Sequence, residues 1–131
     1  MRNRYITILS LAVMAFILLV GCSQRAEPEE IYQDYYKACK NGNFNDAKLL
    51  LDENAFETSR KLGACAFTHD AINTVEVQKG YPVRTFTQEP TVTTHEKKSS
   101  ITWLDDQGSI ATVTLLLVDG QWKISNTTWS Y

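Results

Sequence analysis

The chain has 131 residues, with 13 basic and 15 acidic side chains for a formal charge of −2, and three cysteines. That length suits one domain behind a short leader, and neither a basic excess nor a basic cluster longer than Lys97-Lys98 exists to hold nucleic acid or an anionic surface.

Arg2 and Arg4 precede an uncharged apolar run from Ile6 to Val20, interrupted by Thr7 and Ser10. A basic head followed by an apolar middle is the layout of a secretory signal. The run is shorter than the roughly 20 apolar residues needed to span a bilayer, so a signal is preferred to a membrane-spanning anchor. It ends in Leu19-Val20-Gly21-Cys22, which resembles the lipobox of bacterial lipoproteins, with Leu three positions before the cysteine and a small residue immediately before it. The resemblance implies that the Cys22 thiol receives a diacylglyceryl group, that cleavage removes residues 1–21, and that the new amino terminus is acylated. Each buried methylene contributes about 0.8 kcal/mol, so several acyl chains, palmitate among them, would hold the protein on a membrane essentially permanently. Ser23 stands where relatives kept at the inner membrane often carry Asp. The expected location is therefore the bacterial cell envelope, lipid-anchored, at the outer membrane facing the periplasm.

Cleavage leaves 110 of the 131 residues, and loss of Arg2 and Arg4 takes the basic count to 11 against 15 acids, a formal charge of −4. With Cys22 acylated, Cys39 and Cys65 remain as an even pair in an oxidising compartment, which predicts a disulfide. The alternative is two buried free thiols. The chain-entropy model gives such a bridge about 3 kcal/mol. His69 lies near Cys65, but two cysteines and a histidine lack a fourth ligand at usable spacing, so no metal and no cofactor are expected.

Residues 22–28 are polar, include Pro28 and read as a lipidated tether, with the domain spanning 29–131. Tyr32, Tyr35, Tyr36 and Cys39 fall at helical spacing, Glu29 and Glu30 lead, Lys37 and Lys40 trail, and Gly42 stops the first helix. A second helix is expected with Asn45 as cap, Phe44 stapled onto Leu49, and Leu49, Leu50 and Leu51 as its apolar side. "DENAFETSRKLG" predicts a third, with Ala55, Phe56 and Leu62 apolar and Gly63 closing it. "ACAFTHDAI" reads as a turn or short helix leading into strands. Val75 and Val77 alternate, and Tyr81 to Thr87 continues with β-formers, Pro82 and Pro90 keeping these stretches at edges or strand starts.

The last third predicts an antiparallel meander. Asp119-Gly120 favours a two-residue type I′ turn, which sets Val118 opposite Gln121, Leu117 opposite Trp122 and Leu115 opposite Ile124. A three-residue turn at Asp106-Gln107-Gly108, with Gly108 left-handed, sets Asp105 opposite Ser109, Trp103 opposite Ala111 and Ile101 opposite Val113. Apart from Val118 and Gln121, these residues share one face. Thr102, Thr112, Thr114, Lys123, Ser125 and Thr127 make the other largely polar, interrupted by Leu116, Val118 and Trp129. Helices followed by a meander with one apolar face give an α+β domain whose helices cover that face.

Two stretches, "IYQDYYKACKNGNFNDAKLLL" and "ATVTLLLVDGQWKIS", resemble the nuclear transport factor 2-like superfamily, particularly its small bacterial lipoproteins of uncharacterised function. The resemblance implies a strongly curved antiparallel sheet wrapped around helices in a cone, often enclosing a pocket. Enzymes of that superfamily carry Asp, His or Tyr inside the cone. The candidates here are His69, Asp70 and His95, with Tyr35 or Tyr36, although no acid/base motif surrounds them and His69-Asp70 also reads as a loop contact or cap. No catalytic residue is assigned. The preferred reading is a non-enzymatic, membrane-anchored binding protein that takes a small apolar ligand in the cone or an envelope protein on the outer sheet face, where Leu116, Val118 and Trp129 would form a partner or homodimer patch. The alternatives are a pocket enzyme of isomerase or dehydratase type and an envelope inhibitor or immunity lipoprotein.

Overall fold

A computed structural model describes residues 25 to 130 apart from Val83, Thr87 and Gln88. Cys22 and the leader lie outside the described residues. Among those described, four helices precede four strands: α1 (Pro28–Lys40), α2 (Phe44–Leu49), α3 (Glu53–Leu62), α4 (His69–Gln78), β1 (Thr91–His95), β2 (Lys98–Leu104), β3 (Ile110–Val118) and β4 (Gln121–Ser130). The strands form one open antiparallel sheet in the order β1-β2-β3-β4, which gives the α+β architecture. None of the described helices is long and apolar enough to cross a membrane.

Helix α1 begins one residue before the expected start. Pro28 stands in its first turn, Glu27 and Glu30 form a reciprocal capping box, and Glu29 and Glu30 at one end and Lys37 and Lys40 at the other complement the helix dipole. It buries Tyr32, Tyr35 and Ala38 against the sheet, with Tyr36 and Cys39 at the margin. Helix α2 departs from expectation. Its cap is Asn43, because the Asn43 amide still bonds Ala38 (2.9 Å) and the Asn43 carbonyl takes the first helical bond, from Ala47 (3.1 Å). Phe44 and Leu49 are more than half exposed, so no staple joins them, and Ala47 is the residue this short helix buries.

After α2, Leu51 runs briefly parallel to Ile124. The Asp52 amide donates to the Ile124 carbonyl and the Ile124 amide to the Leu50 carbonyl, both at 2.8 Å, which covers part of the outer edge of β4. Asp52 then caps α3 by accepting from the Ala55 amide (2.8 Å). The face that α3 buries is Ala55 and Ser59, whereas Phe56 and Leu62 remain exposed.

The stretch around Val75 and Val77 is helix α4, not strand. Thr68 caps it through its hydroxyl, which accepts from the Ala71 amide (3.1 Å), and the inward positions are Ile72 and Glu76, four residues apart. The alternation at Val75 and Val77 is outcompeted by this cap and spacing. No strand forms over the described residues between Tyr81 and Phe86. The Asn73 side chain instead clamps that segment, donating to the Arg84 carbonyl (2.8 Å) and accepting from the Arg84 amide (3.1 Å).

The meander has the expected registers: Val118 faces Gln121, Leu117 Trp122, Leu115 Ile124, Trp103 Ala111 and Ile101 Val113. Asp119 and Gly120 both take positive φ, as a type I′ turn requires, and Gly108 does so in the β2–β3 turn, where the Asp105 amide bonds the Ser109 carbonyl. Ile101, Trp103, Asp105, Ser109, Ala111, Val113, Leu115, Trp122 and Ile124 are all buried.

One irregularity changes the second half of β4. A bulge between Thr114 and Leu115 of β3 and their partners leaves Ser125 as an extra residue on β4, so that Thr114 faces Asn126, Val113 faces Thr127 and Ala111 faces Trp129. Since the side-chain period is two, the added residue moves Thr127 and Trp129 from the expected outer face to the inner one. Trp129 packs against the core beside Phe86, and Leu116 and Val118 stay on the opposite face.

Candidate functional site

Two features occupy the inner face: an aromatic stack around His69 and an apolar groove beyond it. His69 is the first residue of α4 rather than part of an irregular loop. Its ring lies between Trp103 of β2 (centroids 4.7 Å apart, planes at 18°) and Tyr36 of α1 (5.2 Å, 17°), with Phe86 edge-on at 6.0 Å. The Tyr32 oxygen accepts from the His69 amide (3.2 Å) and lies 2.5 Å from His69 Nδ1. Both contacts are satisfied when the phenol donates to Nδ1, which assigns the ring proton to Nε2, 3.5 Å from Asp70 Oδ1. Asp70 Oδ2 accepts from Tyr36 (2.7 Å) and pairs with Lys40 at 3.2 Å.

Burial pushes the His69 pKa below its ordinary value, against the pull of Asp70. Burial acts upward on Asp70, but the Tyr36 hydroxyl, Lys40 and His69 together hold its carboxyl below the usual range. Burial raises Tyr35 to about 12 and Tyr32 further still. Tyr35 donates to the Ala64 carbonyl (2.8 Å) and accepts from the Phe67 amide (3.2 Å). The sulfur atoms of Cys39 and Cys65 lie 2.16 Å apart, a disulfide geometry on the same side of α1. Helix α1 thus grips residues 64–69 at three places: Tyr32, Tyr35 and Cys39.

This arrangement brings together His69, Asp70 and Tyr36, three of the sequence candidates, and leaves out His95, which sits exposed at the end of β1. Tyr35 turns away from the group toward the 64–67 backbone. His69 has an aromatic ring on each flat side and a hydroxyl on Nδ1, which leaves Nε2, beside Asp70, as its remaining polar position. Five clefts among the described residues, the groove below included, have linings that leave out His69, Asp70 and His95. Among the described residues no group of three His, Cys, Asp or Glu side chains is placed to hold a metal ion.

The groove lies between α4 and the end of β4, with a volume of about 480 Å³, lined mainly by Leu62, Ala66, Ile72, Val75 and Trp129, with Glu76 on its wall. Leu62 and Val75 are 69% and 48% exposed, so apolar surface faces solvent here. The sequence reading missed this groove because it took Val75 for a strand residue and placed Trp129 on the wrong face. It also missed the polar cluster around Asp105. Asp105 is fully buried, its Oδ1 accepting from the Gln107 and Ser109 amides (2.9 and 2.7 Å), while Arg84 Nε stands 3.4 Å from Oδ2 and the Arg84 guanidinium also reaches Gln107. A carboxylate in register with Trp103 and Ala111 on an apolar face was the available signal. The outer-face patch is reduced to Leu116 and Val118, since Trp129 lies on the other side of the sheet. No family model, curated protein or solved structure matches the chain.

Proposed function

We propose that this protein is a lipoprotein of the bacterial envelope, acylated at Cys22, whose domain is a binding module of nuclear transport factor 2-like cone type that takes an apolar ligand in the α4–β4 groove. The observation that carries the binding reading is the groove itself, a concave apolar surface bordered by Trp129 with one carboxylate at its wall. The anchor reading is supported by the leader and the Leu19-Val20-Gly21-Cys22 box. The cone reading is supported by helices packed on one sheet face and by the bulge that bends β4.

Cells expressing the full chain and labelled with radioactive palmitate should incorporate label in the wild type and lose it in Cys22→Ser; an unlabelled wild type would overturn the anchor. Mass spectrometry of the purified protein should find an apolar molecule bound. Val75→Glu, at an exposed position that leaves the core intact, should release it. Retention of the molecule in Val75→Glu would remove the groove from the account.

A further inference from the structure

The two edges of the sheet are finished differently. The outer edge of β4 is engaged by Leu50 and Asp52 through the Ile124 backbone. The β1 edge pairs, among the described residues, with β2 alone, and all five β1 residues are exposed. Val92 faces Ile101 on the inner side of the sheet, yet is 36% exposed.

The backbone direction at that edge follows from bonds elsewhere in the meander. Lys97 accepts from the Leu117 amide (2.8 Å) and Asp105 donates to the Ser109 carbonyl (3.1 Å), so the odd-numbered residues of β2 turn their backbone groups toward β3. The even-numbered ones, Lys98, Ser100 and Thr102, therefore turn toward β1, where they face His95, Thr93 and Thr91. Val92 and Thr94 are left with their N–H and C=O groups pointing off the sheet. Strand edges of this kind are templates for a further strand, and β1 itself carries no lysine, proline or bulge to prevent it.

We propose that a second copy of this chain pairs here, β1 against β1, antiparallel about a two-fold axis at Thr93. Only this register places Val92 and Thr94 of each copy opposite the other's Thr94 and Val92, so that both residues form a hydrogen-bonded pair and four bonds close. Pro90 has no N–H to give and ends the ladder there. The result is a continuous eight-stranded sheet, and it depends neither on acylation of Cys22 nor on the groove.

The register gives the experiment its test. Thr93 would meet its own counterpart in a non-hydrogen-bonded pair, with Cα atoms about 4.5 Å apart, inside the range a disulfide spans. Thr93 also points to the outer face, away from the core. The full chain carrying Thr93→Cys, solubilised in mild detergent and oxidised, should give a reducible dimer that the parent chain does not. Thr91→Cys and His95→Cys should each give no cross-linked dimer alone and cross-link when mixed. Thr94→Pro removes one edge donor without touching the β2 ladder and should abolish the dimer in sedimentation with the circular dichroism unchanged. Should that variant misfold, the cross-linking yields of Thr93→Cys alone and of the Thr91→Cys and His95→Cys mixture decide the question. A Thr93→Cys chain that remains monomeric, cross-links no better than Thr91→Cys alone, or captures a different protein would overturn self-pairing.

Discussion

Across β2, β3 and β4 the backbone groups find partners in the neighbouring strand, and two short turns set the registers as far as the bulge at Ser125. Between Gly63 and Phe86 the decisive partners come from side chains: the Ala64 carbonyl and the Phe67 and His69 amides meet hydroxyls of α1, far back in the chain, and the Arg84 backbone meets Asn73. The first region is held by rules that act over a few residues. The second is held by tyrosines more than 25 positions away and by the Cys39–Cys65 pair. A region of the second kind folds only once its remote supports are in place, so losses in α1 should reach it before they reach the hairpins.

Trp103 joins the two regions, since it stands in β2 and carries His69 on its face. It is 5% exposed, and Trp103→Ala should destabilise the fold by about 3–5 kcal/mol, read from the denaturant midpoint. A loss near 1 kcal/mol would mean that the stack around His69 contributes little. The next largest effect separates the regions. Replacing Cys39 and Cys65 together by Ala should remove about 3 kcal/mol and loosen residues 63–78 first. Intact-mass measurement with and without reductant should show the two-hydrogen difference of a single disulfide. Tyr35→Phe is a finer cut, deleting one oxygen from a wholly buried ring and leaving the Ala64 carbonyl and Phe67 amide without their partner, for a loss of about 1–3 kcal/mol.

The smallest effect is a dependence on pH. The folded His69 pKa lies below 6.5, so the unfolded chain takes up a proton that the folded one refuses, and stability should fall as pH drops below about 6.5 until the folded value is reached. Asp70, also lowered in the fold, extends the loss to more acid pH as its carboxylate is protonated. In alkali the sign reverses: Tyr32 and Tyr35 keep their protons in the fold, and stability should decline from pH about 10 upward. His69→Gln should lower stability at neutral pH and flatten the slope just below pH 6.5. An unchanged slope would assign that proton uptake elsewhere.

The meander and α1 were legible because alternation, the Asp119-Gly120 turn and the spacing of Tyr32, Tyr35 and Tyr36 are local signals. The segment around His69 was not, because its helix is selected by the Thr68 cap and by Tyr32 from another element, against a competing alternation at Val75 and Val77. The Trp129 error has a different origin. A single bulge residue, Ser125, reverses the face of everything after it, and the Ser125-Asn126 pair at that place does not by itself distinguish a bulge from a continued strand. Both halves of the α4–β4 groove fall within these two illegible stretches, so the groove emerged only with the fold.

Native-state hydrogen exchange on the Tyr32→Phe/Tyr35→Phe variant tests most directly whether α1 holds the candidate site in shape. The account predicts that amides of residues 64–78 lose protection while those of β3 and β4 keep theirs. Equal loss across both regions, or protection of 64–78 unchanged from the wild type, would contradict it.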